Sequence, residues 1–302
     1  MYKRLSTAIH KPQMAWLLRG LSLSFLVFIA WEKLEQVEYS FSVLVSTSFP
    51  LILLVGFLAV LNLSTEAMKF NKLSGITELD FYGSFRSVLA GMSIGIFTPN
   101  RIGEVFGRIK LFPKGTRKRA AAASITGSFI QGLVTMIFGF FGLYLFPLGI
   151  GIPSLGDYYF LLITGIIGFA ILFVFFNQNR WLTSFSKFFS IEKRMWLSGA
   201  MWAILRYFIF SSQFVILLFS FGFQGSIIEA YSGVFLLYFI QTFIPGSFLS
   251  ELGVREVLSV LLFAKYFDQA FAAPLAAFIL WCLNIGLPIL LWNLFPQQSI
   301  KA

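Results

Sequence analysis

The first stretch whose residue types could do chemistry follows a proline in an apolar segment. Arg101, Glu104 and Arg108 are spaced i, i+3 and i+7, which puts them on one face if the stretch is helical. Pro99 and Gly103 interrupt regular helix, and a new helix start leaves N–H groups that attract anions. This spacing favours a site for a charged group. The alternative for the two arginines is a role as anchors beside a basic loop.

A second stretch repeats this combination of helix breakers and charges. Glu251 and Arg255 are spaced i, i+4 and can pair on a helix, and Glu256 follows directly. Arginine offers two parallel hydrogen bonds to a phosphate, whereas a carboxylate can hold a cationic group or balance an arginine. The alternative is a purely structural Glu251–Arg255 pair. The breakers of this stretch are Pro245, Gly246 and Gly253.

The composition indicates that these charges lie in a membrane. The 302 residues are 58% hydrophobic and 12% charged, and soluble proteins carry roughly 25% charged residues. Runs such as Phe41–Leu61 match a hydrocarbon core of roughly 30 Å. We therefore expect an all-α integral membrane protein, folded as a single polytopic domain over residues 1–302.

The distribution of Lys and Arg predicts the topology. The net charge of +10 is best explained by the positive-inside rule, and we expect no nucleic-acid partner. Both termini then lie in the cytoplasm, as does a loop after Leu61 that carries Lys69 and Lys72. Of the 23 Lys and Arg, only Lys33 and Lys265 fall outside. Spanning helices are predicted at about Met14–Trp31, Phe41–Leu61, Ala120–Phe146, Tyr158–Phe176, Leu197–Phe221 and Ala272–Leu294.

The two interrupted segments do not fit simple crossings. Phe81–Pro99 has positive charge on both flanks, which predicts a re-entrant hairpin entering from inside. Val234–Phe267 lacks positive flanks and is expected to enter from outside. Two ordinary spans in its place would leave the later segments on the same sides of the membrane. The prediction is about six to eight transmembrane helices plus two opposed re-entrant hairpins. A weak likeness between the halves, about 1–150 and 151–302, favours an inverted repeat, with coincidence as the alternative.

Two motifs carry a resemblance to a known family. Gly95–Leu111, GIFTPNRIGEVFGRIKL, is similar to the P-x-x-x-G-E element of the lysylphosphatidylglycerol synthase transmembrane-region family. Phe243–Leu258 resembles the family's second element, with Pro, Gly and Arg-Glu, and departs from it at Glu251. The resemblance implies the membrane part that is assigned to lipid flipping. Nothing in this chain matches the cytosolic catalytic domain of the synthases.

The leading interpretation is a flippase-like transporter of a phospholipid or polyprenyl-linked lipid in the bacterial inner membrane. A site of both charge signs suits a zwitterionic or cationic head group. No Walker A motif is present, so a gradient, the membrane potential or downhill flow would drive transport. We expect no cofactor and no metal. The expected head-group residues are Arg101, Glu104, Arg108, Arg206, Glu251, Arg255 and Glu256.

Two other functions stay open. An intramembrane lipid-modifying transferase would need a carboxylate mechanism, for example through Glu104 and Glu256, because His10 is the single histidine and lies far from the motifs. A non-transporting accessory subunit of envelope synthesis would need a partner protein. A homo-oligomer is compatible with each of the three functions.

Overall fold

All regular secondary structure in the described part of the chain is helical. The computed structural model describes residues 49–98, 101–147, 193–244, 248–268, 271–294 and 300, and contains no strand within them. The absence of strands among the described residues confirms the all-α class. The predicted helices Met14–Trp31 and Tyr158–Phe176 lie outside the described residues. The helices are α1 (Phe49–Ser74), α2 (Phe81–Gly95), α3 (Gly103–Lys110), α4 (Arg117–Leu145), α5 (Lys193–Ser220), α6 (Ile227–Phe243), α7 (Phe248–Phe263), α8 (Ala272–Trp281) and α9 (Leu287–Leu294).

Four of the described helical stretches are long and apolar enough to cross a membrane. They are Pro50–Ser74, Arg117–Leu145, Arg194–Ser220 and Ala272–Trp292, the last of which joins α8 and α9 through a π-helical turn at Cys282–Gly286. Large apolar side chains point outward from them. Leu53, Phe57 and Met201 are 58%, 60% and 72% exposed, as expected for surfaces that face lipid. The protein is therefore a membrane protein.

The predicted helix Phe41–Leu61 corresponds to α1, which ends later in the chain than the sequence predicts. We expected a cytoplasmic loop after Leu61, but α1 continues to Ser74, so the prediction is wrong for residues 62–74. Glu66 and Lys69 on this extension are buried within the protein. Polar side chains that face inward lower the hydropathy of a helix without ending it. The helix ends where Gly75 adopts a left-handed φ of +58°.

The predicted hairpin segment Phe81–Pro99 contains one continuous helix, α2, and the returning helix α3 lies beyond that segment, so the expected bounds are wrong. The two helices are about 22 and about 12 Å long at 1.5 Å per residue, so neither matches a core of roughly 30 Å. Glycines let their backbones approach closely. A Cβ on Gly91 would lie 2.7 Å from Arg108 Cγ, and one on Gly107 would collide with the carbonyl of Ala90. Pro99, expected at the break, lies outside the described residues.

The second interrupted segment also forms a helix pair. A break separates Phe243 at the end of α6 from Phe248 at the start of α7, as predicted, with Pro245 and Gly246 outside the described residues. Gly253 was expected to break the helix, but α7 runs through it without interruption. A Cβ there would meet nothing within 4 Å, so packing does not explain this glycine.

The two helix pairs open toward opposite ends of the molecule. The open end of α2 and α3 lies beside Ile300, whose N–H donates to the Leu111 carbonyl over 2.8 Å. The open end of α6 and α7 is closed by Tyr266, whose hydroxyl donates to Glu229 Oε1 over 2.9 Å. Basic side chains gather at the first end. They include Lys72, Lys110, Lys114, Arg117, Lys118, Arg119 and Arg194.

Candidate functional site

Glu66 on α1 forms the centre of a buried ionic cluster. Its Oε1 lies 2.8 Å from Arg108 Nη2 on α3. Its Oε2 lies 2.6 Å from Lys69 Nζ and 2.8 Å from Arg206 Nη1 on α5. Glu66, Lys69 and Arg108 are all buried, and Arg206 is 24% exposed. One carboxylate thus holds three cations from three separate helices.

Glu104 extends this arrangement toward the tip of the first hairpin. Arg101 Nη2 lies 2.6 Å from Glu104 Oε1, and Arg108 Nη2 lies 3.4 Å from Glu104 Oε2. Glu104 therefore pairs with both arginines. Arg101 precedes α3 and has a left-handed φ of +55°, so the expected single helix face holds only for Glu104 and Arg108. We call the six residues Glu66, Lys69, Arg101, Glu104, Arg108 and Arg206 the Glu66 cluster.

The Glu66 cluster carries an excess of positive charge. Its four cations face two carboxylates. A buried charge without a counter-ion costs several kcal/mol even after relaxation. Arg108 Nε is also buried and has no hydrogen-bond partner among the described residues. The alternative of Arg108 as a surface anchor is wrong, because its side chain is 4% exposed.

Amide side chains surround Arg206 at the middle of the spanning helices. Arg206 Nε donates to Asn62 Oδ1 over 3.2 Å, and its Nη1 donates to Gln131 Oε1 over 3.5 Å. Gln131 Oε1 also accepts from Lys69 Nζ over 3.3 Å. Asn62, Gln131 and Arg206 each lie near the midpoint of their helix. The contacts of Arg206 therefore lie near the middle of α5 and not at its end.

The amide contacts continue from Asn62 into the second half of the described chain. Asn62 Nδ2 donates to Asn284 Oδ1, within the π-helical turn. Asn284 Nδ2 donates to Gln213 Oε1 over 3.1 Å, and Gln213 Nε2 donates to the Val55 carbonyl over 3.0 Å. Two apolar core clusters lie toward the two ends of the molecule, and Tyr231 on α6 packs against both. The amide contacts therefore form a chain of polar groups through α1, α5 and the π-helical turn.

The described contacts of Arg255, in the second predicted stretch, lie outside the Glu66 cluster. Arg255 Nε donates to Gln241 Oε1 over 3.4 Å, and its guanidinium lies 5.5 Å from the ring centre of Tyr238. Both partners are on α6, so Arg255 ties α7 to α6. Glu256 lies on α7 and is half-buried. The side chain of Glu251 lies outside the description, so the Glu251–Arg255 pair stays a prediction.

Sequence reasoning missed Glu66, the residue that joins the predicted charges. Asn62, Glu66 and Lys69 are spaced i, i+4 and i+7, the spacing of one helix face. No glycine or proline interrupts the chain between Leu61 and Gly75. This pattern could have identified a helix with a polar inner face.

These features define the class of the protein as a multi-helix membrane protein with a buried ionic cluster. Comparisons with protein-family models, with curated proteins and with solved structures found no match. The resemblance to the lysylphosphatidylglycerol synthase transmembrane-region family therefore rests on the two motifs alone.

Proposed function

We propose that this protein is a flippase-like transporter that moves a phospholipid or a polyprenyl-linked lipid between membrane leaflets. The Glu66 cluster is the observation that carries the proposal. Ionisable side chains at membrane depth are costly and mark substrate pathways. Here, charges from a short helical hairpin meet charges from two candidate spans, with Arg206 near the middle of its helix. Such a site suits the charged head group of a lipid.

The ion pairs of the cluster support a reversible mode of binding. Glu66 and Glu104 act as resident counter-ions for Arg108, Arg206 and Arg101 while no lipid is bound. A lipid phosphate competes with these carboxylates for the guanidinium groups, which bind phosphate through two parallel hydrogen bonds. Departure of the lipid restores the internal pairs. The head group is thus held without being trapped.

The helix pairs support access from both sides. We propose that α2–α3 and α6–α7 are re-entrant hairpins, because they open toward opposite ends and α3 is only about 12 Å long. Opposed broken helices that meet near the midplane are typical of transporter binding sites. Arg255, held by Gln241 and Tyr238 on the second pair, contacts the head group on the outer half of its path.

The orientation and location also belong to this proposal. The end that carries Lys114, Lys118 and Arg194 is the cytoplasmic end. Ile300 lies at that same end, which supports a cytoplasmic C-terminus. The bacterial inner membrane is the proposed location. A gradient, the membrane potential or downhill flow drives transport, and a homo-oligomer or an envelope-synthesis partner is compatible with the fold.

One experiment separates transport from the two other functions. The purified full-length protein is reconstituted into liposomes, and translocation of labelled lipids and modification of their head groups are measured in parallel. We expect translocation with unchanged head groups. Modified head groups would instead identify a transferase. Absence of both activities would favour an accessory subunit and contradict the proposal.

A further inference from the structure

The excess charge of the Glu66 cluster restricts the head group that it can hold. Arg101 is balanced by Glu104, whereas among the described residues Glu66 alone faces Lys69, Arg108 and Arg206. The described part of the cluster is therefore left with two positive charges. A zwitterionic head group adds no net charge to this balance. A cationic head group would increase the excess.

Burial makes this imbalance costly. Lys69 and Arg108 are 1% and 4% exposed, so water screens little of their charge. Charges at short range interact far more strongly in a low-dielectric interior than in water. A ligand that supplies two negative charges therefore gains more here than a ligand that supplies one.

The donors of the cluster fit a terminal phosphate. Arg108 Nε has no described hydrogen-bond partner although it is buried. Arg206 and Arg101, at 24% and 30%, are the most exposed side chains of the cluster. They provide the side from which an anion can approach. A phosphate monoester carries about 1.5 to 2 negative charges and three acceptor oxygens at neutral pH.

We infer that the lipid carries a terminal phosphate with about two negative charges on its head group, as a phosphate monoester or a diphosphate. This inference rests on the proposed function and replaces the sequence-based expectation of a zwitterionic or cationic head group. A polyprenyl phosphate and phosphatidic acid both supply this chemistry.

The test measures binding and translocation separately. Binding to the purified protein in detergent is measured at pH 7 for phosphatidic acid, a polyprenyl monophosphate, phosphatidylglycerol and phosphatidylethanolamine. We expect one or both monoesters to bind at least about tenfold more tightly than phosphatidylethanolamine, a difference of 1.4 kcal/mol, with phosphatidylglycerol in between. The monoester that binds more tightly identifies the lipid class. Equal binding of phosphatidylethanolamine overturns the inference.

The pH dependence gives a second criterion. The second pKa of a phosphate monoester is about 6, so a monoester loses most of one charge as the pH falls from 7 to 5. The ratio of its affinity to that of phosphatidylglycerol should then fall toward one, because both lipids carry about one negative charge. An advantage that does not change with pH contradicts the inference.

Variants and vesicles complete the test. Arg206→Gln and the more exposed Arg101→Gln each reduce the excess charge to one and should reduce the preference for the monoester, whereas the exposed Lys114→Gln should keep it. Unchanged preference in both cluster variants overturns the inference. In phosphatidylcholine vesicles, equal translocation of all four lipids contradicts the inference but keeps the proposed transport. Selective binding of monoesters without any translocation contradicts the transport and keeps the inference.

Discussion

Glu66 Oε1 and Arg108 Nη2 lie 2.8 Å apart although 42 residues separate them in the sequence. This contact joins the inner face of α1 to the second helix of the α2–α3 hairpin. Both side chains are buried, so the pair fixes the hairpin against the helix bundle in a place that water reaches poorly. The position of the hairpin and the charge of the site therefore depend on the same two residues.

Removal of the central carboxylate should weaken folding. Glu66→Ala leaves Lys69, Arg108 and Arg206 without their shared counter-ion, and loss of one partner of a buried ion pair costs about 3 to 5 kcal/mol. We expect a clearly lower unfolding temperature of the purified protein in detergent. Glu78→Gln, which removes an exposed carboxylate, is the control and should leave the temperature unchanged. Equal stability of the two variants would show that Glu66 is not a structural counter-ion.

Close glycine packing of the hairpin makes a second prediction. Gly107→Ala places a methyl group against the Ala90 carbonyl, and overpacking typically costs about 1 to 3 kcal/mol. Gly132→Ala is the matched control, because a Cβ there meets nothing within 4 Å and alanine favours helix by about 1 kcal/mol. The unfolding temperature should fall in Gly107→Ala and rise in Gly132→Ala. A tolerated Gly107→Ala would contradict the close approach of α2 and α3.

Much of the helical framework could be predicted from the sequence. The expected spans Ala120–Phe146 and Leu197–Phe221 agree with α4 and α5 to within a few residues. Long apolar runs give such spans directly, because the membrane thickness sets their length.

The centre of the site could not be found from hydropathy. The segment after Leu61 is polar enough to resemble a loop, yet its polar residues face the protein interior on α1. Average hydropathy does not distinguish a helix with a polar inner face from a loop, whereas the spacing of Asn62, Glu66 and Lys69 does. The contact of Glu66 with Arg206 is tertiary, and no local pattern specifies it.

The proposed topology predicts from which side of the membrane a reagent can reach each turn. In a variant with Cys282 replaced by alanine, cysteine introduced at Thr98 should resist a membrane-impermeant reagent added outside intact cells. Cysteine at Thr77, in the exposed turn between α1 and α2, should react only after the cytoplasm is opened. Rapid labelling of Thr98 from outside in the resting protein would contradict the re-entrant hairpin.

Arg255 offers a prediction for the second helix pair. Lysine keeps the charge of Arg255 but loses the planar group that reaches Gln241 and lies over Tyr238. Arg255→Lys should therefore reduce lipid translocation several-fold while expression stays near normal. Gln241→Ala distinguishes a role of Arg255 in positioning α7 from direct contact of Arg255 with the head group. If it reduces translocation as strongly as Arg255→Lys, Arg255 acts by positioning α7 and not by contacting the head group.

Lipid translocation by variants of Arg206 in liposomes tests most directly whether the Glu66 cluster binds the head group. Arg206→Gln should lower the translocation rate at least about tenfold, equivalent to 1.4 kcal/mol, and Arg206→Lys should recover part of it. Arg194→Gln, which removes an exposed arginine from the same helix, should translocate at the rate of the unmodified protein. A folded Arg206→Gln protein that moves lipid at the full rate would contradict the account.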